Sequence, residues 1–451
     1  MICDTKLIMS KKSDISLVNF FVFNPEFGPK EGEEHKKILF FHPPATDIDT
    51  KIKNVGLCEA ITKFTGTFTD RPCQSLHTQK LRQLFYEPEP NYWVVLTVTV
   101  PYSTKTKDGQ TYLEYHDEDV QDSVYEAVLH QCYKMFKSLE HFFSKYLITL
   151  KLGQSDMLDV FNGIHFLPLD KNMYLRIQCF INLLEATFPH ILYTAFLYQD
   201  QLVWSGLEQE DMRVLYTYLT TNLFPAYMEQ EFQGLKATSS SSSLTSLHSH
   251  YGKYILGPTN LADESSAGRI PRLYINKDQA VLECHLLVYK AHSASVCLVI
   301  DGNYGLMFDL FKRLDKFLGP QLSALASDIG DYYARKPQSS SESQFKYVYF
   351  NLMNLAQKTS IHTDSRKLAV TGVSPDVIKL ISDLNEDLTS CHIQDGEMII
   401  KTWNDCWVVC KKADQREVYI ILNQKNANLI EINEEVKKLC ASQFTNIFFM
   451  D

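Results

Sequence analysis

The residues that could carry chemistry in this chain are few, and their spacing argues against a reaction centre. Cys406 and Cys410 flank Trp407-Val408-Val409 in a strand-like run. A spacing of four in a strand puts both thiols on one face about 13 Å apart, too far to share a metal ion, so they read as two core thiols. His248 and His250 fall in a Ser-rich stretch and His285 sits beside Cys284, with no third or fourth ligand suggested. Gly28-Pro-Lys-Glu-Gly32 has neither the spacing nor the trailing Lys-Ser/Thr of a phosphate-cradling loop, and no Gly-rich dinucleotide fingerprint follows a strand. Trp204-Ser205-Gly206 reads as a strand end and not as a nucleophile elbow. The acidic groupings Asp47/Asp49, Asp117 to Asp119 and Glu434/Glu435 lie before one helix, at the start of another and inside a third, where capping and solvation explain them. The expectation is a chain with no catalytic residue, metal or cofactor of its own, which works through its surface.

The elements that would present that surface recur three times in one order: two strands, a helix, further strands, and a helix. In the middle copy TAFLYQD and QLVWSG form a hairpin joined at Asp200 and Gln201, and Met212, Leu215, Tyr216 and Leu219 give the next helix its apolar stripe. RLYI, AVLECHLLVYKA and ASVCLVID follow as strands, then a helix from Leu306 to about Tyr332. The last copy runs FKYVYFNLMNLA, a helix opened by Ser374 and Pro375 with Val377, Leu380, Ile381, Leu384 and Leu388 on one face, the strands EMIIKTW, CWVVCKK and REVYIILN, and a closing helix over NLIEINEEVKKLCAS. The first copy has LVNFFVFN and KILFFH, a helix from Lys51 to Phe64, KLRQLFYE, NYWVVLTVTV, and one long helix from Asp117 towards Tyr146. Asp170 to Phe188 reads as an additional amphipathic helix.

At 451 residues the chain is too long for one core, and about three domains of ordinary size agree with the repeat. The domain reading is a disordered tail over 1–13, a first domain with its helical extension over 14–188, a second over 189–336 with a mobile Ser-rich loop at 236–250, a linker at 337–344, and a third over 345–451. A net charge of -10 without a basic, aromatic-interleaved stretch points away from nucleic acid. No apolar run reaches the ~20 residues of a membrane span, and the 11 cysteines have no paired spacing, so a soluble intracellular protein with reduced thiols is expected.

The helix from Lys51 to Phe64 stands apart. Ile52, Val55, Leu57, Cys58, Ala60, Ile61 and Phe64 surround nearly its whole circumference, so it wants burial on two sides. One side is its own sheet. The other is either a partner surface or is covered by the helix from Asp170 to Phe188. The candidate interface residues are Asn54, Val55, Leu57, Cys58, Ile61 and Phe64.

The stretches NPEFGP, KILFFHP, NVGLCEAI, SLHTQK, YTAFLYQDQLVWSGLEQEDMR, GPQLSALASDI and LNQKNANLIEINEEVKKLCASQFTNIFF resemble the Ccz subunits of the Mon/Ccz complex over nearly the whole chain. That resemblance implies an α+β fold of three longin domains, each a five-stranded, mainly antiparallel sheet flanked by helices. It also implies a heterodimer with a Mon subunit that acts as guanine nucleotide exchange factor for the late-endosomal Rab GTPase, the two first domains pairing to present the GTPase-binding surface. Further implications are recruitment through an upstream Rab and phosphoinositide, a further subunit, and a cytoplasmic protein held peripherally on late endosomes and lysosomes. The alternative from a different class is a non-catalytic longin adaptor that binds GTP-loaded Rab or coat components.

Overall fold

The computed structural model describes residues 12–69, 72–107, 110–238, 252–263, 270–277, 280–335, 345–361 and 373–443. The expected tail up to residue 11, the Ser-rich stretch beyond Thr238 with His248 and His250, and the linker at 337–344 lie outside them. Two compact units form: the chain to Lys134 with Leu147–Val160, and Met135–Tyr146 with Phe161 onward.

In the first unit, strands β1 (Leu17–Phe23), β2 (Ile38–His42), β3 (Ser75–His77), β4 (Leu81–Glu89) and β5 (Tyr92–Thr99) make one antiparallel sheet in the order β2-β1-β5-β4-β3. Side chains alternate across its faces. Phe21, Phe23, Phe85 and Val95 meet helix α1 (Ile48–Gly66), whose start is capped by Asp47 accepting the Thr50 N–H at 2.9 Å. From the intervening positions of β4, Tyr86 meets His130 and Tyr133 of α2 (Asp122–Ser138) with ring centroids 4.0 and 5.8 Å apart. Arg82, 2 % exposed, donates to the Asp117 carboxylate at 2.7 Å and to Asp122, which ties β4 to the chain entering that helix.

Besides the short β3, two features of the first copy escaped the sequence reading. A polar hairpin, β6 (Tyr102–Lys107) and β7 (Gln110–Tyr115), forms a separate two-stranded sheet. The expected long helix from Asp117 is instead a 3-10 turn at Asp117–Asp119, then α2, then α3 (Glu140–Thr149), with no Gly or Pro to mark either break.

The second unit holds two further sheets. β9 (Ile191–Tyr198), β10 (Gln201–Ser205), β11 (Lys253–Leu256), β12 (Arg272–Lys277), β13 (Ala280–Ala291) and β14 (Ala294–Asp301) are ordered β10-β9-β14-β13-β11. The 12-residue β13 is long enough to pair β11 near one end and β12 near the other. The β9–β10 hairpin turns at Gln199 and Asp200, one residue earlier than expected. Helix α4 (Met157–Phe161) and the two-residue strand β8 (Ile164–His165) precede α5 (Lys171–Thr187), which is capped by Asp170. Sequence grouped α5 with the first domain. The structure packs its Met173, Ile177, Phe180, Ile181 and Leu184 into the core of the middle sheet beside α8 (Phe308–Arg335). Between β10 and β11 run α6 (Gln209–Tyr218), a π turn, and α7 (Phe224–Thr238), so residues 236–238 of the expected loop are helical.

The last sheet comprises β15 (Phe345–Asn351), β16 (Ala356–Thr359), β17 (Gly396–Lys401), β18 (Trp407–Ala413) and β19 (Arg416–Leu422), with helices α9 (Pro375–Ser390) and α10 (Leu429–Gln443), in the order β17-β18-β19-β15-β16-β8. With the additional strands β12 and β8 set aside, all three sheets share the order second-first-fifth-fourth-third within each copy, the same topology built from unlike residues. The fold class expected from sequence holds, with one strand beyond five in the middle and last sheets.

The chain from Ile164 to Leu167 joins those two sheets. Ile164 and His165 pair in parallel with Ala356 and Gln357, while Phe166 bridges Leu202 and the Leu167 N–H donates to the Leu202 carbonyl at 2.9 Å. Gly163 makes the close approach feasible, because a Cβ there would lie 2.4 Å from Cβ of Gln357. Phe161 stacks on Phe350 at 4.8 Å in the same junction.

Candidate interaction surface

Helix α1 has two apolar faces. Val55 and Cys58 point into the core with Phe21, Phe41 and Phe85, and Ile61 packs half-buried against the same cluster. Burial pushes the Cys58 thiol up to about 12, with Cys73 nearby adding to the shift, which leaves an inert thiol and no nucleophile. Nearly opposite, Leu57 is 53 % and Phe64 64 % exposed. Positions 57, 60 and 64 fall on one stripe at helical spacing, and small exposed Gly56 and Ala60 keep its middle flat. Past the end of the helix Phe68, 75 % exposed, meets the Phe64 ring edge-on at 4.9 Å and lengthens the stripe.

Local hydrogen bonds keep polar groups from competing for this face. The Thr62 and Thr65 hydroxyls donate back to the carbonyls of Cys58 and Ile61, at 3.0 and 2.9 Å, and the Asn54 amide donates to the Thr50 carbonyl at 2.9 Å. Glu59 accepts from Lys37 at 2.7 Å and Lys63 at 2.6 Å. Burial opposes ionisation of that carboxyl, but the two lysines overcome it and hold the group below its usual range.

Of the six residues nominated from sequence, the structure therefore exposes Leu57 and Phe64, leaves Asn54 and Ile61 at the margin, and places Val55 and Cys58 inside. Phe68 was missed. Its signal is the i,i+4 aromatic spacing from Phe64, which a helix ended at Phe64 cuts off.

The other side chains singled out from sequence go to structural positions. Cys406 and Cys410 are buried, and burial pushes the Cys410 thiol up to about 12. Cys284 is buried in β13 beside His285. Asp117 does more than solvate a helix start, since it pairs with Arg82. Among the described residues no three His, Cys, Asp or Glu side chains converge as metal ligands, and no helix is long and apolar enough to cross a membrane.

Three sheets of one strand order, with an apolar helix face left over on the first, define a three-longin-domain protein. Family models agree: residues 17–139 match the first longin domain of INTU, CCZ1 and HPS4, residues 191–319 match Intu longin-like domain 2, and residues 341–439 match Intu longin-like domain 3. Relatives described as "Vacuolar fusion protein CCZ1 homolog" are 51 % identical in Nematostella vectensis, over 98 % of this chain and 99 % of the relative. The same description covers one in Xenopus laevis at 50 % (97 and 98 %) and one in Dictyostelium discoideum at 30 % (96 and 98 %). The chain belongs to the CCZ1 family of vacuolar fusion proteins, which gives it a role in membrane trafficking.

Proposed function

We propose that this chain is one subunit of a heterodimeric guanine nucleotide exchange factor. Its partner is a Mon subunit, and the pair activates the late-endosomal Rab GTPase in endosome maturation and vesicle fusion. The observation that carries this reading is the outward stripe of α1, Leu57, Phe64 and Phe68, on the first domain of a CCZ1-family chain. Exchange requires no bond-making by the catalyst, only tighter binding of the nucleotide-free GTPase than of the loaded one. A chain poor in chemical motifs is suited to it.

Magnitudes support a two-chain catalyst. Releasing a nucleotide held at nanomolar affinity must offset about 12 kcal/mol. Burying Leu57 and Phe64 contributes about 3 to 6 kcal/mol together, so this stripe needs surface from a second subunit. Val55 and Cys58 support the stripe from below and do not enter the contact, while Asn54 and Ile61 border it. The complex reaches late-endosomal and lysosomal membranes as a peripheral assembly, with an upstream Rab and a further subunit as additional partners.

The test is a nucleotide-release assay on the late-endosomal Rab with this chain alone, the Mon subunit alone, and both. Activity with both only, and preference for nucleotide-stripped Rab in pull-downs, is expected. Equal release without the Mon subunit, or capture of the GTP-loaded form alone, would sink the reading, the latter in favour of an adaptor.

A further inference from the structure

The middle domain holds a cavity of about 730 Å³, within the range of small-molecule sites, between α7, β11, the loop at Pro258 to Leu261, and α8. Its lip turns at Gly257, whose φ of +141° and a would-be Cβ 2.8 Å from the Tyr254 ring exclude a side chain. Tyr227, Tyr254 and Met228 supply an aromatic and apolar wall, and Glu231, Lys253, Lys290, His292 and Asp315 bring charge or imidazole to it.

The arrangement of those charges is unusual for a surface that closes on itself. Lys253 and Lys290 stand directly opposite each other in the β11–β13 register, a like-charge pair that costs stability. Both ammonium groups lie over the Tyr227 ring, 5.0 and 5.2 Å from its centroid. Glu231 pairs with Lys253 and accepts the Tyr227 hydroxyl at 2.9 Å. Lys290 forms no salt bridge among the described residues; it meets the Met228 sulfur at 4.0 Å and the ring, and feels the Glu231 carboxylate only from beyond contact distance. Asp315 is its counterpart: it accepts the Tyr289 hydroxyl at 2.7 Å and pairs with no cation among the described residues. Among the described residues, one cavity thus presents an ammonium and a carboxylate that have no salt-bridge partner and do not pair with each other.

We propose that this cavity binds a small zwitterion of the amino-acid or short-peptide class. Its carboxylate sits on Lys290 beside His292, its ammonium on Asp315, and its apolar part against Tyr227, Tyr254 and Met228. Charge-assisted hydrogen bonds at both ends give specificity for molecules carrying both charges.

Saturation-transfer NMR and calorimetry on the full-length chain would use leucine, glycyl-leucine, N-acetyl-leucine, which keeps only the anion, and leucinamide, which keeps only the cation. At least one of the two zwitterions should bind ten times or more tightly than both singly charged analogues, with the leucine and glycyl-leucine arms separating the amino-acid from the peptide source. Lys290→Met and Asp315→Asn should each weaken that binding at least tenfold. No saturation transfer to either zwitterion, or an analogue of one charge binding equally well, overturns the proposal on the wild-type chain alone, whether or not the variants fold.

Discussion

Helices α1 and α9 occupy the same place in the first and last domains, between the second and third strands of sheets with one topology, yet they meet their surroundings differently. On α9, Val377, Ile381, Leu384 and Leu388 are all buried, and the exposed positions after the first-turn Pro375 are Asp376, Asp383, Glu386, Asp387, Thr389 and Ser390. On α1, Val55 and Cys58 are buried while Leu57 and Phe64 remain outside. The anchoring differs too. Asn385 of α9 donates to the buried Glu417 at 2.9 Å and to the Tyr419 hydroxyl at 3.0 Å, whereas α1 is tied at its rim by the Glu59–Lys37 ion pair. One helix completes a domain. The other completes it and leaves a second apolar face exposed.

The inner faces should prove equivalent. Val55→Asp and Leu384→Asp each place a carboxylate in an apolar core, and each should cost about 3 kcal/mol or more in denaturant unfolding, with loss of the cooperative transition for the affected domain. A loss below about 1 kcal/mol at either site would mean that its helix does not pack as described.

The anchors should prove unequal. Asn385→Ala removes a donor from the nearly buried Glu417 and should cost about 2 kcal/mol, measured as a shift in the urea midpoint at constant slope.

The outer faces should separate stability from activity. Leu57→Asp with Phe64→Asp should change stability by no more than about 0.5 kcal/mol per site, yet lower exchange by the heterodimer at least tenfold, which is about 1.4 kcal/mol. Ile61 is the wrong partner for this test, because it packs half-buried on the core and its loss would mix the two effects. Rates within twofold of wild type would break the comparison.

The smallest effect is acid sensitivity. The Glu59 carboxyl is depressed in the folded chain, so its contribution is present at pH above the ordinary value of 4.5 and is lost as pH falls through the folded value. Glu59→Gln should remove about 0.5 to 1 kcal/mol near neutrality and nothing once pH lies below that folded value. Urea melts across pH 3 to 7 would read the difference, and parallel curves for the two chains would refute it.

How much of this was legible depends on the residues. Met212, Leu215, Tyr216 and Leu219 announced a buried helix face, and each is buried. Ser374 and Pro375 marked the start of α9, although the serine makes no side-chain capping bond. The hairpin β6–β7 was invisible because its residues are largely polar and exposed, leaving no alternation between core and solvent to detect. β3 is only three residues long. The six nominated interface residues captured the right helix, but periodicity cannot say which of two apolar stripes a sheet will cover.

The sequence alone set the identity of the main core elements, their threefold order and the doubly apolar character of α1, because turn residues and apolar spacing act within a few positions along the chain. Only the tertiary structure decided that α5 serves the middle sheet, that Ile164 to Leu167 joins two sheets, that Lys253 and Lys290 face each other, and that Leu57 and Phe64 stay outside while Val55 and Cys58 go in. Those outcomes depend on which surfaces come together across many tens of residues, and no local pattern encodes the partner of a face.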